Sequence, residues 1–200
     1  MQVYSPRFLS PLDYLEHEIR EEARHDYVDG AVYALSGGSV CHSKLIMNVV
    51  AVVLPVANRG ACHVHSQGVK VRVAARNSYY YPDVVATCEP VTKGEYIINE
   101  PCFIVEVLSP STASIDRREK RLAYTTLDSL TEYVLVYQDR MRVDVYQRTE
   151  GGWNLAILRE PEQAIDITCL RCSLALEQIY KGVDLPLSVS EVLNDEWALG

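Results

Sequence analysis

The sequence lacks the features of several large protein classes. Its N-terminus has no basic start followed by an apolar segment, so no signal peptide is predicted. No apolar run approaches the roughly 18–20 residues that a membrane span requires. No GxGxxG stretch or P-loop is present, since "SGGS" lacks the lysine and the spacing of a phosphate loop. We therefore expect a cytoplasmic protein that has no membrane partner and no phosphate-binding loop of these kinds.

Positive charge is also scarce. The chain has 19 lysines and arginines against 27 aspartates and glutamates, a formal net charge of −8. This balance excludes a polycation that coats nucleic acid passively, but a local basic strip could still dock an enzyme on it. The densest strip is "DRREKR" at 116–121, and on charge alone it is typical of a solvated helix face.

The six cysteines do not form a recognisable motif. Cys41, Cys62, Cys88 and Cys102 stand singly in predicted helices and strands, so we expect them to be reduced core thiols. "CLRC" at 169–172 is a lone CxxC without the second ligand pair of a zinc site, and the nearby histidines at 63 and 65 are not spaced as ligands. The spacing therefore predicts no metal site at the cysteines.

The 200 residues, 48% of them hydrophobic, favour one domain, 1–200, with a real core. Ser10-Pro11-x-Asp13 predicts a helix start, and the helix should reach about Ala23. Asp29-Gly30 predicts the turn of a hairpin, and the long apolar segment 40–60 predicts a buried helix that Pro55 kinks or ends. A single mixed sheet flanked by helices, of the α/β (mixed α+β) class, accommodates this order of elements.

Several segments predict strands. They are "CHVHSQGVKVRV", broken at Gly68, then "YYYPDVVATC", "CFIVEVLS", "EYVLVYQ", "MRVDVYQR" and "WNLAILRE". Asp83 lies near the start of the second of these segments and Glu106 near the end of the third. If the two strands pair antiparallel, the two carboxylates meet at one edge of the sheet.

Glu106 interrupts an apolar strand, where burial of a carboxylate is costly unless a hydrogen-bonded network, a lysine or a metal ion compensates it. Two converging carboxylates suit Mg²⁺, which prefers oxygen ligands. The next helix carries Asp116, Lys120 and Tyr124 at i, i+4 and i+8, on one face. Considered without the two acids, Asp116 and Lys120 would be interpreted as an ordinary ion pair on the helix surface. With the two acids nearby, Lys120 is a candidate to orient water or offset charge on a phosphate.

The stretch "YYYPDVVATC … FIVEVLSPSTASIDRREKRLAY … EYVLVY" resembles the Uma-two family, a branch of the PD-(D/E)XK nuclease superfamily. The resemblance covers about 8–185 and leaves a C-terminal tail, 186–200. It implies a restriction-endonuclease-like core and Mg²⁺-dependent hydrolysis of phosphodiesters, with Mn²⁺ as a substitute. Asp83 matches the PD aspartate and Glu106 the second acid. The superfamily lysine position is Leu108 here, so the resemblance points to Lys120.

The remaining site positions also come from the resemblance. It gives Asp26, Lys70, Asp116 and Tyr124 supporting roles, with Lys70 as the alternative lysine. The Val107 carbonyl would join Asp83 and Glu106 around the metal. His42 matches a common family position, and its chemistry suits a helix-start polar residue and a ligand equally well.

The implied function is an endonuclease acting on nucleic acid, with DNA the favoured substrate and a homodimer as one arrangement for cutting both strands. Ala31 and Gly68 replace acids that are frequent in the family. A decayed nuclease fold that binds nucleic acid or a protein partner is therefore the alternative. A purely structural Asp–Lys–Glu network is a third reading. A cysteine nucleophile at Cys41 or Cys88 has no matching motif.

Overall fold

Thirteen strands and four helical segments make up the part of the chain that the computed structural model describes, residues 8–35, 37–92, 94–109 and 113–185. The strands are β1 (His25–Val28), β2 (Ala31–Ala34), β3 (His63–Ser66), β4 (Lys70–Val73), β5 (Ser78–Tyr80), β6 (Val84–Thr87), β7 (Ile97–Ile98), β8 (Pro101–Leu108), β9 (Glu132–Tyr137), β10 (Val143–Thr149), β11 (Gly152–Leu158), β12 (Ala164–Ile167) and β13 (Cys172–Ala175). The helices are α1 (Pro11–Glu18), α2 (Val40–Ala57), α3 (Ala113–Ile115, Asp116–Lys120 and Arg121–Tyr124 in succession) and α4 (Leu176–Ile179). A 3₁₀ turn spans Ala74–Arg76. The predicted tail, 186–200, lies outside the described residues.

The central sheet has six strands in the order β11-β10-β9-β8-β6-β3. Only β8 and β9 run parallel within it, and α3 provides their crossover. A second sheet has the order β2-β1-β5-β4-β7, and β12 pairs with β13 separately. The predicted mixed α+β class is confirmed, but the strands are divided among three sheets rather than one.

The segment "YYYPDVVATC" was expected to form one strand and instead contributes to both large sheets. Its first part is β5, in the five-stranded sheet, and its second is β6, in the six-stranded one. Pro82 and Asp83 form the junction. A proline has no N–H for a ladder, so it marks a natural place for the chain to leave one sheet. Asp83 consequently lies where the two sheets meet, at the entrance to β6.

The strand that bears Glu106 pairs with β6 in the predicted sense. β6 and β8 are antiparallel, with Val84 opposite Val105 and Val85 opposite Ile104. Continuing this register by one residue places Asp83 opposite Glu106. The structure thus confirms that the start of one strand lies beside the end of the other.

Helix α2 covers one face of the central sheet. Ser39 caps it by accepting a hydrogen bond from the His42 N–H, and the helix passes through Pro55 before it ends at Ala57. Leu45, Val49 and Val53 pack on the side chains of β6 and β8 that face them. Its 18 residues have a mean hydropathy of 1.8, so the expectation that no apolar run is long enough for a membrane span was wrong. The buried stripe nevertheless assigns α2 to the protein core.

The opposite face of the sheet is covered by α3 and by the second sheet. Tyr124 and Leu130 pack there with Ile104 and Leu135. Alternation along β8 therefore sends Val105 and Val107 toward α2, and it sends Glu106 toward α3.

Two local predictions near the N-terminus are borne out in part. Ser10 caps α1 as expected, but α1 ends at Glu18 instead of about Ala23. Glu18 turns inward, and its Oε1 accepts a hydrogen bond from the His25 N–H at 2.9 Å. The hairpin forms about Asp29 and Gly30, whose φ angles of 44° and 98° suit a tight turn.

The cysteine prediction was wrong for three residues. Cys62 is joined to Cys88, and Cys102 is joined to Cys169, a residue of the lone CxxC. Sequence spacing does not reveal these pairings, because the ends of β3, β6 and β8 are far apart in the chain although they meet in the sheet. Cys41 remains a free thiol, as predicted, and so does Cys172.

Substitutions on α2 test the packing of this helix. Leu45 is fully buried, and Leu45→Ala should lower the free energy of unfolding by about 2–5 kcal/mol because it removes apolar contacts and leaves a cavity. Met47 is 60% exposed, so Met47→Ala should change it by less than about 0.5 kcal/mol. Urea unfolding followed by circular dichroism measures both. Equal effects of the two variants would contradict the proposed orientation of α2.

Candidate active site

The two acids of the sheet edge are held in different ways. Asp83 Oδ2 accepts a hydrogen bond of 2.7 Å from the backbone N–H of Val107, so the carboxylate is tied to the strand that carries Glu106. The Asp83 carbonyl accepts a second bond, 2.8 Å long, from Ser66 Oγ on β3. These contacts fix Asp83 at the sheet edge, although it lies outside the ladder itself.

Glu106 is only 3% exposed and is bound from α3. Its Oε1 accepts hydrogen bonds from Lys120 Nζ at 3.0 Å and from the Tyr124 hydroxyl at 3.2 Å. Because α3 directly follows β8 and packs back on the same face, residues close in sequence return to the carboxylate. The predicted proximity of Lys120 and Tyr124 to Glu106 is thus present in the structure.

Lys120 lies at the centre of a cluster of buried carboxylates. Besides Glu106, its Nζ approaches Asp116 Oδ1 at 3.2 Å and Asp26 Oδ2 at 3.7 Å. Asp26 is delivered by β1 of the second sheet and accepts a hydrogen bond of 2.9 Å from the Tyr81 N–H. Asp116–Lys120 forms a π-helical turn, a local widening that often accompanies functional sites. The turn directs both Asp116 and Lys120 inward.

Burial and charge perturb the titration of this cluster. Burial raises the pKa of Asp26 from 3.8 to about 6, although Lys120 opposes the shift. Burial likewise raises the pKa of Glu106 well above its ordinary value, and Asp116 and Asp83 add repulsion. Burial alone would lower the pKa of Lys120, but Glu106, Asp116 and Asp26 outweigh it and raise that pKa. Lys120 is therefore held as a cation beside Asp26 and Glu106, whose own ionisation burial opposes.

His42 completes the site from the start of α2. Its Nε2 lies 3.2 Å from Asp83 Oδ2, and the imidazole also hydrogen-bonds the backbone of Val107. Burial lowers the pKa of His42, but these two partners outweigh burial, and the net shift is upward. Nδ1 is buried and has no hydrogen-bond partner among the described residues. His42 thus contacts the Asp83 carboxylate as well as lying at a helix start.

Lys70, the alternative lysine, does not join the carboxylate cluster. Its Nζ lies 5.0 Å from the ring centre of Tyr81, and burial lowers its pKa. Beside it lies a second polar group that sequence reasoning missed. Glu18 accepts hydrogen bonds from the Tyr81 hydroxyl at 2.9 Å and from the His25 backbone. No motif marks these residues, which come from separate elements. The Tyr81 N–H links them to Asp26.

The donor types of this site suit a divalent metal ion, although among the described residues no three of its carboxylates bring ligand oxygens within 4.8 Å of one another. Four carboxylates (Asp26, Asp83, Glu106 and Asp116) converge on one lysine and one histidine, which leaves negative charge in excess. Among the described residues, no hydrogen bond or ion pair reaches Asp83 Oδ1 or Glu106 Oε2, so each acid keeps one oxygen for a ligand. Asp116 Oδ1 is buried without hydrogen-bond geometry to any described group, despite its proximity to Lys120. Hard oxygen donors of this kind suit Mg²⁺.

Comparison with known proteins identifies the family. The Uma2 family model, described as "Putative restriction endonuclease", matches residues 11–177. The chain belongs to this family. The predicted resemblance is therefore confirmed, and it extends over nearly all of the described residues.

Relatives and a solved structure agree with this assignment. Two Synechocystis proteins named as uncharacterized, slr1290 and sll1609, are 32% and 27% identical over 176 residues each. These matches cover 88% and 86% of this chain and 93% and 99% of the relatives. A crystal structure from Anabaena variabilis, titled a "putative nuclease belonging to DUF820", matches with a TM-score of 0.72 at 15% identity, over 86% of this chain and 97% of that one. That last likeness supports the fold.

The raised pKa of Asp26 predicts how the stability of the folded protein changes with pH. Asp26 is protonated in both the folded and the unfolded protein below pH 3.8, and burial opposes its ionisation in the folded protein up to about pH 6. As pH rises through this window without divalent ions, wild type should lose about 3 kcal/mol of stability relative to Asp26→Asn. Urea unfolding at several pH values in chelator measures this difference. Asp128→Asn, at an exposed position, is the control and should show no such trend. A constant difference for Asp26→Asn would contradict the assigned environment.

Proposed function

We propose that this chain is a Mg²⁺-dependent endonuclease that hydrolyses phosphodiester bonds, with DNA as its substrate. One observation carries the proposal. A buried lysine contacts Glu106, Asp116 and Asp26 at a sheet edge where Asp83 stands opposite Glu106 in the strand register. Family membership supports the general nuclease assignment, and the donor set supports the choice of metal.

Each residue has a chemical role in this proposal. Asp83 and Glu106 would hold Mg²⁺, with Asp26 and the Val107 carbonyl as further oxygen donors. A bound Mg²⁺ supplies Lewis-acid polarisation of the phosphate and lowers the pKa of a water molecule. Lys120 would orient the attacking water or offset the negative charge that develops on the phosphate. Tyr124 orients Glu106, and His42 holds Asp83 in place.

The outer surface of α3 supplies a docking strip for the nucleic-acid backbone. Lys120 turns inward, whereas Arg117 and Arg118 are exposed and Arg121 is half-buried. Arg117 lies 5.0 Å from the ring centre of Tyr137, and Arg121 lies 5.4 Å from that of Tyr146. These arginines would contact phosphates next to the cleavage site. Such contacts position a substrate without reading its sequence, which suits a protein of net charge −8 with only local basic surface.

Plasmid cleavage tests the proposal. Supercoiled DNA is incubated with the protein in Mg²⁺ or Mn²⁺, and nicked and linear products are quantified. We expect metal-dependent cleavage that Asp83→Asn, Glu106→Gln and Lys120→Met each reduce by about 10²-fold or more, since each removes a group that acts on the reacting phosphate. Single-stranded DNA and RNA in parallel reactions define the substrate.

Two control variants sharpen the cleavage assay. Asp128→Asn changes an exposed acid and should retain full cleavage. Lys70→Met tests the alternative lysine and should retain more activity than Lys120→Met, because Lys70 lies beside Tyr81. Absence of cleavage by a folded wild-type protein, with no calorimetric Mg²⁺ binding, would overturn the proposal. DNA binding that persists in Asp83→Asn would then favour the decayed-site module, to which the substitutions at Ala31 and Gly68 already point.

A further inference from the structure

Four cysteines meet at the end of the central sheet that lies away from the carboxylates. Cys62 immediately precedes β3, Cys88 immediately follows β6, and Cys102 is the second residue of β8. Cys169 lies in the turn between β12 and β13. Four separate segments therefore contribute one sulfur each. Two disulfides join these residues in pairs, and both pairs lie at the same end of the sheet.

Three of the sulfur atoms form one cluster, and the fourth, that of Cys62, adjoins it through its bond to Cys88. Cys88 Sγ and Cys102 Sγ belong to different bonded pairs, yet they are 3.7 Å apart. The Sγ atoms of Cys88, Cys102 and Cys169 all lie within 4.8 Å of one another. A tetrahedral zinc ion with Zn–S bonds of about 2.3 Å spaces its sulfurs about 3.8 Å apart. The distance of 3.7 Å between Cys88 Sγ and Cys102 Sγ matches that spacing.

We propose that, in the reduced protein, Cys62, Cys88, Cys102 and Cys169 bind one Zn²⁺ ion. Reduction of each disulfide by an external dithiol takes up two electrons and two protons and yields two thiols. Binding of Zn²⁺ then releases the four thiol protons, which leaves four thiolates and a net site charge of −2. Four protein ligands close the coordination shell, so this zinc is structural.

The surrounding backbone permits the change between the two states. Cys62 and Cys88 lie just beyond the last ladder pair, which is His63 with Thr87. Reduction of their disulfide would therefore let the two sulfur atoms move apart while the pairing of His63 with Thr87 stays intact. The ladder between β6 and β8 has a bulge between Ala86 and Thr87, close to Cys102. Cys88 is exposed whereas Cys102 is buried, which gives an ion a route from solvent to the cluster.

The arrangement also explains why ligand spacing did not reveal the site. It uses Cys169 of the CxxC and leaves Cys172 as a free thiol, while its other ligands lie at strand ends. His63 and His65 pair with Thr87 and Val85, and alternation places them on the sheet face opposite Cys62. No sequence motif joins ligands that only the sheet brings together.

The zinc would clamp the two strands that carry the candidate catalytic acids. Cys88 follows Asp83 by five residues along β6, and Cys102 precedes Glu106 by four along β8. At about 3.3 Å per residue, the cluster is about 13–17 Å from the acids. The zinc site would therefore stabilise the pairing of β6 with β8 without touching the candidate catalytic acids.

Metal content of the full chain tests the proposal. The protein is purified in reductant with added Zn²⁺, desalted and measured by mass spectrometry of metals. We expect one zinc ion per folded chain, with a loss of at least about tenfold in zinc affinity for Cys88→Ser and Cys102→Ser. Cys88→Ser changes an exposed residue, so it should fold. Cys41→Ser and Cys172→Ser alter the two free thiols and should retain zinc.

Two further measurements, neither of which depends on DNA cleavage, test the zinc proposal alongside the metal content. Co²⁺ in place of Zn²⁺ should give thiolate charge-transfer absorption that is absent from Cys88→Ser. A zinc chelator should lower the melting temperature of reduced wild type but not of that variant. A reduced, folded wild type without zinc would overturn the proposal, as would iron in place of zinc, zinc retained in Cys88→Ser, or zinc lost in Cys172→Ser.

Discussion

The structure around the sheet edge depends on the contact between Lys120 and its buried acids. Taking an ammonium and three carboxylates out of water is costly, and only close pairing offsets that cost. Lys120 lies 3.0 Å from Glu106 and 3.2 Å from Asp116, and Asp26 joins it from the second sheet. Removing the ammonium alone would leave uncompensated buried charge, a loss of about 3–5 kcal/mol. One side chain thus connects β8, α3 and β1.

The pairing of β6 with β8 sets the geometry on which this contact rests. Antiparallel register places Asp83 opposite Glu106, and alternation then sends the Glu106 side chain toward α3. The same two strands carry Cys88 and Cys102 at their other ends. A shift of one residue would turn Glu106 toward α2 and separate the acids. Covalent or metal closure at the cysteine end and the Lys120 network at the acid end both oppose such a shift.

Much of the site follows from local rules of sequence, and the rest depends on tertiary pairing. The period of a helix placed Asp116, Lys120 and Tyr124 on one face, and an acid in an apolar strand marked Glu106. The division of 79–88 between two sheets was missed because the break at Pro82 is visible only when β5 and β6 find different partners. The Glu18–Tyr81 contact and the four-cysteine cluster were missed for the same reason. Each joins residues from different elements at positions that no spacing rule connects.

The charge balance of the cluster favours the proposed metal site over a purely structural network. A network selected for stability alone would match each buried acid with a cation, because every unpaired charge reduces the free energy of unfolding. Here four acids face one lysine and one histidine, and burial raises the pKa of Asp26 to about 6. This imbalance opposes folding of the metal-free protein near neutral pH, and a divalent cation bound at the proposed site would offset it. The arrangement therefore stores, in the folded protein, the electrostatic preference that would draw Mg²⁺ to Asp83 and Glu106.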